Sequence, residues 1–152
     1  MDEQTAAWHR RFATELFNNT WALMDAPGRS AAEDRQMLAS AFASRLHWEA
    51  VGTPVNKAVG DWQISRVCAL LGMADLAVRY ASLALRAALS KEGMPDYMLA
   101  SAYEGMARAH ACAGDAAERE RFLALANESL ELIGDDEDRR LIEGQIASVP
   151  EI

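Results

Sequence analysis

The sequence predicts an all-α protein of seven helices arranged as antiparallel pairs, and three observations carry that expectation. Apolar residues recur at three- and four-residue spacing almost throughout, which is the period of a helix with one buried face. Alanine, the strongest helix former and a residue depleted in strands, occurs 30 times in 152 residues, so the core must be close-packed from small side chains. The interruptions fall where Gly, Pro and Asp cluster. A chain of this length makes one domain, 1–152, and leaves no room for a second.

The first helix is expected over about 2–25, with Trp8, Phe12, Leu16, Thr20 and Leu23 along one stripe, and it stops at Ala26-Pro27-Gly28. Ser30-Ala31-Ala32-Glu33 is a capping box that opens a second helix running to Val51; Gly52 ends it and Pro54 blocks continuation. A third helix runs from about Asn56 to Leu71, before Gly72, and a fourth from about Ala74 to Lys91. Beyond Gly93 and Pro95 a fifth spans about Asp96 to Ala113 and closes at Gly114. Asp115-Ala116-Ala117-Glu118 opens a sixth that reaches Ile133. After Gly134, the run Asp135, Asp136, Glu137 and Asp138 starts a seventh helix, where negative charge complements the helix dipole. The first helix (2–25) and the last (135–149) then cap a repeat region over 30–133.

Charge excludes several functions. Fifteen Lys and Arg against 23 Asp and Glu give a net −8, which argues against a nucleic-acid surface or an anionic membrane partner. No apolar run has the length of a membrane span, and Met-Asp-Glu-Gln is not the start of a signal peptide, so a cytoplasmic location is expected. Residues 114–152 hold 11 acidic and 4 basic side chains, so the acidity belongs to the last two helices and serves to keep the end of a helical stack solvated. Cys68 and Cys112 are too few for a disulfide framework and read as small buried thiols.

An internal repeat is present. Ala43 and Ala50 recur as Ala77 and Ala84, displaced by 34 residues, and Tyr103-x2-Met106-Ala107-x2-His110 before Gly114 repeats in weaker form as Asp61-x2-Ile64-Ser65-x2-Cys68 before Gly72. Over about residues 39–133 these features resemble the tetratricopeptide-repeat superfamily, although Asp61 stands where that unit has tryptophan and Arg119 where it has alanine. Segments 43–48, 60–67 and 102–108 also resemble a group of small bacterial helical-repeat proteins without an assigned activity. The resemblance implies a short right-handed stack of helix pairs and a scaffold, not a reaction.

In such a stack the first helices line a common groove. Arg66 and Arg108 fall at equivalent positions, as do Trp62 and Glu104 one turn earlier. Two guanidinium groups and an indole facing one groove suit a carboxylate or phosphate, because Arg presents a planar fork to such groups. The plainer alternative is that Arg66 pairs with Glu104 and fixes helix packing. Trp48 and Trp62 flank the turn at Gly52 to Pro54, as ligand anchors or as core filling; Arg45 and His47 lie in the segment that leads to Trp48. His47 and His110 invite a metal or general-base reading, but both fall where the repeat puts a packing residue, and neither has a carboxylate at i+3 or i+4. His9, beside Arg10 and Arg11, is expected at the surface. Ser44, Ser65 and Ser101 lack a nucleophile-elbow context, no Gly-rich phosphate loop occurs, and the seven methionines are scattered as core filler.

The expectation is therefore a binding or scaffolding module without catalytic residues, metal or cofactor, presenting a groove to a peptide or protein ligand of acidic character. The rival is a small enzyme or metal-dependent protein in which His47, His110 and Glu104 converge. A third reading is a structural homodimer, since alanine-rich helix faces pack readily.

Overall fold

The computed structural model describes residues 1–90 and 92–152. Among them are seven α-helices and no strand: α1 (Glu3–Asp25), α2 (Ala31–Val51), α3 (Pro54–Leu70), α4 (Ala74–Ser90), α5 (Met98–Cys112), α6 (Ala116–Ser129) and α7 (Asp136–Ala147), with a 3₁₀ turn at Leu130–Leu132. The expected end of the fourth helix at Lys91 lies outside the described residues.

Local chemistry sets the starts. At α2, the Ser30 hydroxyl accepts from the Glu33 N–H at 3.2 Å while the Glu33 carboxylate accepts from the Ser30 N–H at 2.7 Å, so two orphan donors are satisfied reciprocally. A second box, Thr53 with Asn56, begins α3 at Pro54, earlier than the expected Asn56. Proline fits that first turn because its missing N–H would have had no helical partner. Asp135 accepts from the N–H groups of Glu137 and Asp138 at 2.9 Å each, which turns the acidic run into the cap and first turn of α7. Two helices are shorter than their apolar spacing suggested: α5 starts at Met98 rather than Asp96, and α6 gives way at Leu130 to the 3₁₀ turn.

The helices pack as hairpins α1/α2, α3/α4 and α5/α6, with α2 against α3, α4 against α5, and α3 also against α5. The second and third hairpins turn identically. Gly72 and Gly114 both have φ +74°, and the next N–H reaches back into the helix, Met73 to Cys68 O at 2.8 Å and Asp115 to His110 O at 2.9 Å. A side chain at either glycine would be strained. Since each hairpin reverses the chain, α1, α3 and α5 run in one direction, and α7, which meets α5, runs with them.

Small residues allow the close approach that the alanine content implied. Ala77, Ala81, Ala84 and Ala88 of α4 are buried, and the Ser65 hydroxyl on α3 donates to Ala77 O at 2.7 Å; Ser44 donates to Ala13 O at 2.7 Å across the α1/α2 seam. Ile64, Val67, Met106 and Phe122 fill the space between the hairpins. Two registers differ from expectation. Ala43 is half-buried and Ala50 exposed, and α2 instead buries Met37, Ser40, Ala41 and Ser44. Ala43 and Ala50 thus lack the burial of Ala77 and Ala84, their counterparts 34 residues on. In α1 the expected stripe is split: Trp8 and Phe12 are 47% and 41% exposed, whereas farther along the same stripe Leu16 is half-buried, Thr20 is buried and Leu23 packs against the core, and Ala13 is buried beside it. Cys68 is buried as expected, its thiol pushed up to about 11 by desolvation, whereas Cys112 is only partly covered. No helix among the described residues is long and apolar enough to cross a membrane.

Candidate functional site

The four parallel helices α1, α3, α5 and α7 shape two adjoining cavities, of about 360 and 550 Å³, that share Trp21 and Arg66. The smaller lies toward the helix C-termini, bounded by Asp25, Leu70, Arg108, Cys112 and Pro150. The larger extends along α3 and α7 over Val59, Trp62, Met98, Leu141 and Ile142, with Asp138 and Gln145 on its α7 wall.

Between them sits Glu104, fully buried, on the face of α5 that meets α3. A carboxylate out of contact with water demands compensation, and three donors supply it. Trp62 Nε1 donates to Oε2 at 3.1 Å; Arg108 Nε and Arg66 Nη1 donate to Oε1 at 2.7 and 3.3 Å. Gly105 makes room for this arrangement, because a Cβ there would lie 2.9 Å from Trp62 Cδ1. The Trp62 ring in turn packs against Trp21 of α1, centroids 5.7 Å apart.

The two arginines, equivalent in sequence, are not equivalent in bonding. Arg108 is filled: beyond Glu104 it donates to Gln145 O at 3.1 Å, Ser148 Oγ at 2.8 Å and Ser148 O at 3.3 Å, which fastens the end of α7 to α5. Arg66 makes one hydrogen bond among the described residues, out of five N–H donors, and its guanidinium lies between two indoles, 5.5 Å from Trp21 and 5.6 Å from Trp62. Burial, and then the like charge of Arg108, pull it below the usual arginine range, against the pull of Glu104 and Asp25. One buried carboxylate thus faces two guanidiniums, while Asp25 is exposed and its field is screened by water.

The sequence-predicted residues divide accordingly. Trp62, Arg66, Glu104 and Arg108 come together as one cluster, and within it the expected Arg66–Glu104 pairing is present. Arg45 stands apart, bonded to Asp61 at 2.8 Å and Glu49 at 2.7 Å. Burial raises the Asp61 carboxyl and Arg45 opposes that rise. Trp48 is half-buried near the end of α2 and lines neither cavity, whereas Trp62 is buried in α3 and meets the indole of Trp21. His47 Nδ1 is 2.9 Å from His9 Nδ1, which makes His9 a seam residue of α1 rather than the surface residue expected. His110 stacks on Phe122, centroids 5.5 Å apart, with Asp115 at 3.7 Å. His47, His110 and Glu104 therefore occupy three separate surroundings and do not converge, and among the described residues no group of three or more His, Cys, Asp and Glu is arranged to hold a metal ion.

Sequence reasoning missed Trp21, Gln145, Ser148 and Asp138, because all four lie in the helices outside the repeat. The available signal for Trp21 was its place next to buried Thr20 on the inner side of α1. Chemically the arrangement offers an open guanidinium edge on an aromatic bed, beside an apolar trough, and no nucleophile activated by a neighbouring base is among its lining residues. Comparison of the chain with protein-family models, curated proteins and solved structures gives no match.

Proposed function

We propose that this chain is a short right-handed stack of tetratricopeptide-like helix pairs, of the small bacterial kind, acting in the cytoplasm as a non-enzymatic binding module. Its groove between α1, α3, α5 and α7 takes a peptide or a segment of a partner protein, and Arg66 receives a carboxylate of that ligand. The observation that carries this reading is the asymmetry of the two arginines: Arg108 spends its donors on the protein, whereas Arg66 keeps an open edge over Trp21 and Trp62 at the junction of two cavities. Arginine presents two parallel donors to a carboxylate, and partial burial strengthens such a bond relative to water.

The test is affinity selection from a library of acidic peptides with wild-type protein and Arg66→Gln. The reading expects retained peptides enriched in Asp and Glu whose binding falls at least tenfold in the variant. Equal retention by both proteins would refute it.

A further inference from the structure

The larger cavity is polarised along its length, and this specifies the ligand more closely than a carboxylate alone. One end is Arg66. At the other, Asp138 on α7 lies beside Tyr97, and its carboxylate makes no hydrogen bond or ion pair among the described residues; its charge adds to burial in raising the Tyr97 hydroxyl. Between the ends, Val59, Trp62, Met98, Leu141 and Ile142 present an apolar wall, and Leu141 is a large exposed hydrophobic at 60%. Gln145, on the same wall, has its Oε1 buried without a donor, so an acceptor is left over inside the groove.

The spacing follows from helix geometry. Arg66 and Val59 are seven residues apart on α3, as Gln145 and Asp138 are on α7, and seven residues of helix rise about 10 Å. Because α3 and α7 run parallel, Gln145 stands at the Arg66 end and Asp138 at the Val59 end. A segment in the extended polyproline-II form advances about 3.1 Å per residue and turns once in three, so side chains three positions apart lie on one face about 9 Å apart and bridge the two charges.

Resting on the binding reading above, we infer that the groove selects an extended peptide segment with an acidic residue and a basic residue three positions apart and apolar side chains between them. The acidic side chain lies on Arg66, the basic one on Asp138, and a backbone N–H of the segment donates to Gln145 Oε1.

The experiment is a calorimetric titration of the full chain with three blocked hexapeptides: one carrying Glu-Leu-Phe-Lys, one with the lysine replaced by Glu, and one with the same residues ordered Glu-Lys-Leu-Phe. Wild type should favour the first by about tenfold or more over each of the others. Asp138→Lys should reverse the first preference and favour the peptide with two Glu, and Asp138 is suited to this because its side chain holds no other part of the fold. Circular dichroism of the variant establishes that α7 is retained. If Glu-containing peptides bind through Arg66 but Asp138→Lys leaves the ranking unchanged, the charge pairing inferred here is wrong while the binding reading stands. If none of the three binds and Arg66→Gln changes nothing, both fail. Free phenylalanine binding as tightly as the first peptide would overturn the extended-segment occupant.

Discussion

Arg66 and Arg108 offer a comparison made by the molecule itself. They are the same residue at matching positions of consecutive first helices, 42 residues apart, and both bond Oε1 of Glu104. What separates them is the next helix along. The rung at Arg108 has α7 beside it, whose carbonyls and Ser148 hydroxyl absorb the remaining donors, so that arginine is a strut. The rung at Arg66 has α1 beside it, which contributes an indole face and, among the described residues, no hydrogen bond to the guanidinium, so that arginine keeps unspent donors. Identical side chains in identical registers thus end with filled or open donor sets according to whether a neighbouring helix supplies acceptors.

The comparison can be broken most drastically at its shared partner. Glu104→Ala leaves two guanidiniums facing each other without their carboxylate and should cost about 3–5 kcal/mol, read from urea-unfolding midpoints. Gly105→Ala forces a methyl against the Trp62 ring and should cost about 1–3 kcal/mol, with a change in tryptophan emission that a purely helical effect would not give. The arginines themselves should then separate. Arg108→Ala removes charge-assisted bonds to α7 and should cost about 2 kcal/mol, with faster hydrogen exchange confined first to α7, whereas Arg66→Ala should cost about 1 kcal/mol or less and leave α7 exchange unchanged. Equal costs and equal exchange patterns would erase the distinction drawn between them.

The smallest effect sharpens the contrast between buried and exposed carboxylates. The Glu33 carboxylate is held below its ordinary value of 4.5 by hydrogen bonds from the Ser30 N–H and hydroxyl. A folded value below the unfolded one means that its contribution is complete above 4.5 and is lost as pH falls through the folded value. Glu33→Gln still accepts the capping bond but does not titrate, so the melting-temperature gap between wild type and variant should narrow in acid. A gap independent of pH would show that the box works without its charge.

Helix number and most caps were legible because Ser30, Asp115, Asp135 and the glycines act locally. The Arg66, Glu104 and Arg108 cluster was legible for a related reason: a turn copied at Gly72 and Gly114 fixes which residues share a register. Side-chain pattern misled where packing is one-sided. In end helix α1 the stripe that begins with the exposed Trp8 and Phe12 turns inward only at Thr20 and Leu23, because the N-terminal half of the helix has a partner on one side alone. In α2 the buried face includes Ser40 and Ser44, which hydropathy scores as surface although Ser44 is spent on Ala13 O. The half of the site supplied by α1 and α7 was hidden because those helices fall outside the repeat, so no internal copy pointed to Trp21 or Gln145.

The common direction of α1, α3, α5 and α7 has an electrostatic consequence. The C-terminal ends of α1, α3, α5 and α7 meet near Asp25, Leu70, Cys112 and Ser148, so carbonyls of partial negative charge lie on the side of both guanidiniums, while the antiparallel α2, α4 and α6 bring their positive N-terminal ends to the same side and limit the reach of that charge. Those end carbonyls act over short range, as where Gln145 O and Ser148 O take donors of Arg108, and so help two like-charged groups to coexist beside a single carboxylate. Under the binding reading proposed above, an anion gains its energy on contact with the Arg66 edge, and the groove then sorts ligands by fit at close range.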